Sequence, residues 1–172
     1  MKVRALQGFA LIGLLLTTAC APPPAPTTGT AADEATLRAM GAKYADLWNK
    51  NDVAGLVTMV TDDYEVVAPD GMVIKGRAGF EEEQKKGVTA RTGLPLKLNV
   101  TTSYLKWGGA NAASIGGTWT LDGLPPGAGA NKGAWTMFAV RGADNQWRMA
   151  TGLVADAPMP PPVLTTAPVK GK

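Results

Sequence analysis

The segment Leu96-Lys-Leu-Asn-Val-Thr-Thr-Ser-Tyr104 alternates between two kinds of side chain. Its even-numbered positions carry leucine, valine, threonine and tyrosine, whereas its odd-numbered positions carry lysine, asparagine, threonine and serine. Successive side chains of a strand point to opposite faces of a sheet. The pattern therefore predicts a half-buried β-strand whose even-numbered residues, Tyr104 included, face the core.

Three further strands are predicted downstream, separated by turns rich in glycine. Gly108-Gly109 ends the first strand, and a Gly- and Pro-rich loop over 122–133 divides the next two. The predicted strands cover 111–121, 134–141 and 146–154. In the strand over 111–121, Ile115, Gly117, Trp119 and Leu121 are expected to share one face.

Helices are predicted on the N-terminal side of these strands. Apolar residues recur at helical spacing from Leu37 to Trp48, and Asp33 is predicted to cap this first helix. Asp52 is predicted to cap a second, shorter helix, and a third helix is expected over 78–87.

A β-hairpin is predicted between the second and third helices. Two short β-prone segments, 64–68 and 72–75, are joined through Pro69-Asp70-Gly71. Thr61-Asp62-Asp63 is predicted to be a turn before the hairpin. The complete order indicates an α+β fold with about six strands in a mostly antiparallel sheet and helices on one side.

Proline-rich segments flank this body, and the sequence predicts four parts. These are a signal peptide over 1–19, a Pro-rich linker over 20–32, one domain over 33–155 and a disordered Pro-rich tail over 156–172. A body of about 125 residues has the usual size of one domain.

Charge and composition exclude several classes of function. The formal net charge of the 172 residues is +3, but four of the cations lie at positions 2, 4, 170 and 172. The body is nearly neutral, which argues against nucleic-acid binding. With no His and one Cys, the chain lacks the residues of most zinc sites, of Ser-His-Asp or Cys-His catalysis and of a disulfide framework. No metal or cofactor is predicted.

The N-terminus carries a targeting pattern. Lys2 and Arg4 precede an apolar run over 9–16, which is too short to span a bilayer and is typical of a signal peptide. Leu16-Thr-Thr-Ala-Cys20 resembles the bacterial lipobox, although Thr17 stands where an aliphatic residue is usual. The resemblance implies a lipid anchor, such as palmitate and other acyl chains, on Cys20. Because Ala21 is not the aspartate linked to inner-membrane retention, it also implies the outer membrane, facing the periplasm. The alternative is ordinary cleavage and a secreted or periplasmic soluble protein.

The body resembles nuclear-transport-factor-2-like domains of the SnoaL-like group. The segments that carry the resemblance are Leu37–Leu56, Thr61–Val66, Asp70–Arg77, Gly117–Leu121 and Trp147–Ala150. The resemblance implies a cone: a strongly curved sheet wrapped around three helices that encloses an apolar pocket. It also implies that a homodimer can form through the outer face of the sheet.

Aromatic residues, methionines and a threonine are the candidates for the pocket wall. Eight positions are predicted to line it, from helix or strand face and from the family resemblance: Tyr44, Trp48, Tyr64, Trp119, Trp135, Met137, Met149 and Thr151. For the tryptophans and methionines, packing in a filled core is the simplest role, and lining an open cavity is the other. Sequence does not fix which strand face points inward, because a slip of one residue reverses it.

No catalytic residue is predicted. Relatives often carry a polar group after the Trp-Arg pair on the last strand, but this chain has Ala150-Thr-Gly-Leu153, where no side chain titrates near neutral pH. Asp62 and Asp63 are expected in a turn. The sequence therefore favours non-catalytic binding of a small apolar ligand, or protein contact, at the cell envelope. Two alternatives stay open: an isomerase or cyclase using Asp/Tyr chemistry, and a dimeric scaffold with a filled core.

Overall fold

The computed structural model describes residues 28–157. In this range the chain forms three helices and six strands in the predicted order. The helices are α1 (Ala31–Asn49), α2 (Val53–Thr58) and α3 (Gly76–Ala90). The strands are β1 (Val60–Val67), β2 (Val73–Lys75), β3 (Lys97–Gly109), β4 (Ala112–Asp122), β5 (Lys132–Arg141) and β6 (Trp147–Asp156). The predicted signal peptide, Cys20, most of the linker and nearly all of the tail lie outside the described residues.

Helix α1 begins with a capping box at Thr30. The Thr30 hydroxyl accepts a hydrogen bond from the Asp33 N–H at 3.2 Å, and the Asp33 carboxylate accepts one from the Thr30 N–H at 2.9 Å. Thr30 is therefore the N-cap and Asp33 its reciprocal partner, so the prediction of Asp33 as the cap was wrong.

Across residues 28–157 none of the helices has the length and apolarity needed to cross a bilayer.

The region from α2 to β2 follows the predicted order, with one correction. Asp52 caps α2 by accepting from the Gly55 N–H at 2.8 Å, as predicted. Thr61-Asp62-Asp63 belongs to β1 and is not a turn. The β1–β6 register shifts between Val60 and Glu65, and this irregularity leaves Asp62 and Asp63 both exposed.

The six strands form one open sheet in the order β2-β1-β6-β5-β4-β3. Four neighbouring pairs are antiparallel, and β1 and β6, which lie far apart in sequence, pair in parallel. The predicted α+β class with a mostly antiparallel sheet of about six strands and three helices is confirmed.

Three single-residue bulges interrupt the antiparallel ladders and bend the sheet. Register shifts place Ser103 and Gly108 in β3 and Ala150 in β6 as bulged positions. Each bulge reverses the face on which the following side chains lie and increases the local curvature. Tyr104 follows the Ser103 bulge and is 42% exposed on the outer face, so its predicted core orientation was wrong.

The core fills the space between the helices and the inner face of the sheet. Helix α1 packs mainly on β3, and α3 packs on β1. Leu37, Leu56, Val60 and Ile115 are fully buried. Rings and methionines surround this aliphatic centre: Met40, Met59, Tyr64, Phe80, Trp135, Met137, Trp147 and Met149.

Candidate functional site: an apolar cavity

A cavity of about 280 Å³ lies between α1 and the inner face of the sheet. Its wall takes side chains from α1, α3, all six strands and the β1–β2 turn. The C-terminal ends of β1, β4 and β6 and the N-terminal ends of β3 and β5 meet there, as the antiparallel order requires. One end of the curved sheet is therefore left unfilled by the helices.

Helix α1 contributes one face to the wall. Met40, Gly41, Tyr44 and Trp48 recur at intervals of one to four residues and lie on the side turned toward the sheet. Asn49 fixes the end of this helix against β3: its amide donates to the Leu98 carbonyl and its side-chain oxygen accepts from the Leu98 N–H, both at 2.8 Å. This pair of bonds holds α1 and β3 together beside the cavity.

The opposite wall is formed by rings and thioethers from the sheet. It is made by Trp119 of β4, Trp135 and Met137 of β5 and Met149 of β6. Both indole N–H groups already have backbone partners, because Trp119 donates to the Ala155 carbonyl and Trp135 to the Thr101 carbonyl, each at 3.3 Å. These rings therefore present carbon surface to the cavity.

Tyr64 of β1 reaches the cavity from its buried side and is 2% exposed. Its ring meets Phe80 of α3 edge-on, with centroids 5.2 Å apart. Its hydroxyl lies 4.0 Å from the sulfur of Met137. Burial raises the pKa of Tyr64 far above the ordinary value of a phenol, and the neighbouring phenol of Tyr44 raises it further.

Tyr44 is the second phenol on the wall. Burial raises its pKa to about 12, although the amide of Gln84 and the charge of Arg91 act in the opposite direction. The Gln84 amide donates to the Tyr44 oxygen at 3.5 Å. Both phenols are therefore protonated, and hence uncharged, across the physiological pH range.

Trp48 is held in place by a cation. The guanidinium of Arg91 lies over the Trp48 ring, 4.1 Å from its centroid, and also donates to the Asn51 side chain at 2.8 Å. A cation over an indole face is an attractive arrangement. It fixes the ring that closes one side of the cavity.

The structure brings together seven of the eight residues predicted from sequence to line a pocket: Tyr44, Trp48, Tyr64, Trp119, Trp135, Met137 and Met149. Thr151 does not join them. The Ala150 bulge turns Thr151 to the outer face, where it is exposed and pairs with Phe138. Val154, farther along β6, lines the cavity instead.

Sequence reasoning missed several residues of the wall. Gln84 is the most informative, because it is the wall's only amide side chain within the described part of the chain. It follows Phe80 by four residues, so helical spacing places both on one face of α3. Ala68 and Pro69 of the β1–β2 turn also line the cavity, and they carry no apolar period that would mark them.

The aspartates that could serve as a catalytic base beside the two phenols lie outside the cavity. Asp62 is 89% exposed and pairs with Arg77 at 2.6 Å. Asp63, Asp122 and Asp156 are exposed as well. Among residues 28–157, the ionisable side chains that line the cavity are those of Tyr44 and Tyr64.

Asp33 is the buried carboxylate of the described residues, and it serves the fold. The indole N–H of Trp147 donates to it at 2.9 Å and Arg141 donates at 3.3 Å. The Trp147 bond, followed by those from Thr30, lowers the pKa of Asp33 to about 2. The Asp33 carboxylate therefore stays ionised near neutral pH and links the start of α1 to β5 and β6.

Comparison with solved structures supports the fold. A domain of unknown function with a cystatin-like fold from Nostoc punctiforme matches with a TM-score of 0.64 and 16% identity, over 76% of this chain and 80% of that one. An NTF2-like protein with a cystatin-like fold from Novosphingobium aromaticivorans matches with a TM-score of 0.62 and 16% identity, over 76% and 85%. A ketosteroid isomerase-like protein from Erwinia carotovora atroseptica matches with a TM-score of 0.56 and 15% identity, over 76% of this chain and 100% of that one.

These matches establish the fold of the chain. Sequence identities of this size are too low to establish anything beyond the fold. The chain has the cystatin-like, NTF2-like fold, as the sequence resemblance implied. No protein-family model and no curated protein matches the chain.

Proposed function

We propose that the domain binds a small apolar molecule in the cavity between α1 and the sheet, without catalysing a reaction on it. The observation that supports this most is the cavity itself, about 280 Å³ lined by indoles, phenols, thioethers and aliphatic side chains. Ligand sites are typically concave, mostly apolar and equipped with a few polar groups, and this cavity has that composition.

The protonation states of the wall support binding rather than proton transfer. A general base works best when its pKa lies near the working pH. Tyr44 and Tyr64 both have a raised pKa, mainly because of burial, so each keeps its proton near neutrality. Such phenols donate hydrogen bonds to a ligand but do not accept its protons.

Two other functions have less support. An isomerase or cyclase is suggested by the likeness to a ketosteroid isomerase-like protein, but fold likeness alone does not transfer an activity. Asp63 and Glu65, the carboxylates on either side of Tyr64 in sequence, face solvent, as does Asp62. A scaffold with a filled core is disfavoured because the cavity is open space that the side chains leave between α1 and β5.

Membrane attachment is the second part of the proposal, and it rests on residues 1–20 of the sequence. We expect lipidation at Cys20 and a place at the cell envelope, on the outer membrane facing the periplasm. Cys20→Ser should move the protein from the membrane fraction to the soluble fraction when cells are fractionated. A variant that still sediments with membranes would show that lipidation is the wrong account.

Native mass spectrometry of the full chain from its own host tests the binding function. The wild type should retain an added mass that denaturation releases. Val154→Trp, which places an indole in the cavity, should lose that mass. Leu94→Trp is the control, because the Leu94 side chain is 44% exposed and does not line the cavity. Equal retention by both variants, or a wild type that carries no ligand, would contradict the proposal.

A further inference from the structure

The hydroxyl of Tyr64 is a buried donor with a poor partner. The only contact within hydrogen-bonding range among the described residues is the Met137 sulfur at 4.0 Å. A thioether is a weak acceptor. A buried hydroxyl without an oxygen or nitrogen partner costs free energy, and a ligand oxygen that accepts from it recovers that cost.

Tyr44 adds a second donor to the same wall. Its oxygen accepts from the Gln84 amide at 3.5 Å, which occupies a lone pair and leaves its own O–H proton uncommitted. The two phenols lie near enough for Tyr44 to act on the ionisation of Tyr64. The polar part of the cavity is therefore concentrated on the side formed by α1, α3 and β1.

The rest of the described wall presents carbon and sulfur atoms to a bound ligand. The indole N–H groups of Trp119 and Trp135 are already bonded to the backbone. Both ionisable groups of the wall are neutral phenols, and Arg91, whose charge acts on Tyr44, does not line the cavity, so a charged ligand group would be buried without a counter-charge on the wall.

From this arrangement we infer that the cavity takes a neutral, largely apolar molecule bearing one uncharged acceptor oxygen, which accepts a hydrogen bond from Tyr64. The inference rests on the proposed function, because it assigns a ligand class to the same cavity. A cavity of about 150 Å³ holds one benzene ring, so about 280 Å³ suits a molecule of roughly 10 to 15 non-hydrogen atoms.

Three probes of one shape test the chemistry. 2-Acetylnaphthalene carries the carbonyl, 2-isopropenylnaphthalene replaces its oxygen with a methylene, and 2-naphthoate replaces the acetyl group with a carboxylate. Titration into the full chain, followed by tryptophan fluorescence or calorimetry, gives the dissociation constants. The ketone should bind about tenfold more tightly than the alkene, the ratio that one hydrogen bond of ordinary strength supplies. The carboxylate should bind at least tenfold more weakly than the alkene, because its charge loses water without gaining a partner.

Substitutions then locate the hydrogen bond. Tyr64→Phe should reduce the ketone-to-alkene ratio to one or below, because the carbonyl then loses water without gaining this donor, and it should leave the affinity for the alkene unchanged. Tyr104→Phe is the matched control, because that phenol lies on the outer face and bonds Thr136. It should leave the tenfold ratio intact. Circular dichroism and thermal melting of each variant show that the fold is retained.

The outcomes separate this inference from the proposed function. If none of the three probes binds, the cavity is not a site for ligands of this size, and both proposals fail. If the alkene binds as tightly as the ketone, the apolar site stands and the carbonyl preference is overturned. If Tyr44→Phe abolishes the ratio and Tyr64→Phe does not, the assignment to Tyr64 is wrong.

Discussion

Gly41 lies where α1 packs against β3, and its replacement by alanine measures how tightly the helix packs on the sheet. A Cβ atom at this position would lie 2.9 Å from the Thr102 hydroxyl oxygen, 3.0 Å from a Val100 methyl carbon and 3.1 Å from the Trp135 ring. Three neighbouring side chains would have to move to admit one methyl group.

Two opposing effects set the magnitude for Gly41→Ala. Alanine in a helix interior is favoured over glycine by about 1 kcal/mol. Overpacking a well-filled contact costs about 1–3 kcal/mol. The distances at Gly41 are at or below the closest approach of ordinary carbon contacts, so the steric cost should outweigh the helical gain. We expect a net loss of about 0–2 kcal/mol in the free energy of unfolding.

Gly79→Ala provides the matched control. Gly79 lies in α3, and the nearest atom to an added Cβ is a methyl carbon of Ile74 at 4.0 Å. Here the helical gain of about 1 kcal/mol should appear without a steric cost. In a domain of this size that gain raises the melting temperature by about 3–5 °C.

Urea denaturation of the two full-length variants and the wild type gives the comparison. The free energies of unfolding of Gly79→Ala and Gly41→Ala should differ by about 1–3 kcal/mol, with wild type between them. If Gly41→Ala is stabilised as much as Gly79→Ala, then α1 does not pack on β3 at the distances seen here, and the geometry of the cavity wall is wrong.

Three further predictions concern other contacts. Thr30→Ala should lower the free energy of unfolding by about 1 kcal/mol, measured by urea denaturation, because it removes half of the capping box; an unchanged midpoint would refute the cap. The folded-state pKa of Asp33, about 2, is below its unfolded value of 3.8, so the stability that its ionised form contributes is complete above pH 3.8 and is lost as pH falls toward 2. Acid titration of unfolding should show that Asp33→Asn lacks this pH-dependent loss of stability, and parallel curves for wild type and variant would refute the assignment. We expect two copies to pair through the outer sheet face, where Phe138 is 39% and Leu153 is 44% exposed. Phe138→Asp should therefore change the mass measured by light scattering from that of two chains to that of one. A monomeric wild type would contradict the pairing.

Local periodicity was enough to predict the elements. The 3.6-residue recurrence from Leu37 to Trp48 gave the position of α1, and the alternation after Leu96 gave that of β3. Turn residues placed the β1–β2 hairpin correctly, because Pro69-Asp70-Gly71 favours a tight reversal. These signals are local, since each depends on side chains a few residues apart.

The facing of side chains was harder to predict, because a bulge has no local signature in this sequence. Ser103 and Ala150 are ordinary strand residues, yet each adds one position to a ladder. After each extra position the period of two continues with the opposite sense. Tyr104 and Thr151 were therefore assigned to the wrong face, while Trp119, in a strand without such an interruption before it, was assigned correctly.

The same bulges explain why the cavity has its particular lining. The Ala150 bulge takes the Thr151 hydroxyl out of the wall and puts Gly152 and Val154 on the inner face. At Gly152 even a Cβ would meet the Met137 sulfur at 2.2 Å, so the inner face there has room only for glycine. Compared with the lining predicted from sequence, the inner face of β6 therefore has Gly152 and Val154 in place of Thr151. The remaining polarity of the described wall lies on the helical side and on β1, with Tyr44, Gln84 and Tyr64, so we expect the site to distinguish ligands by a single acceptor oxygen.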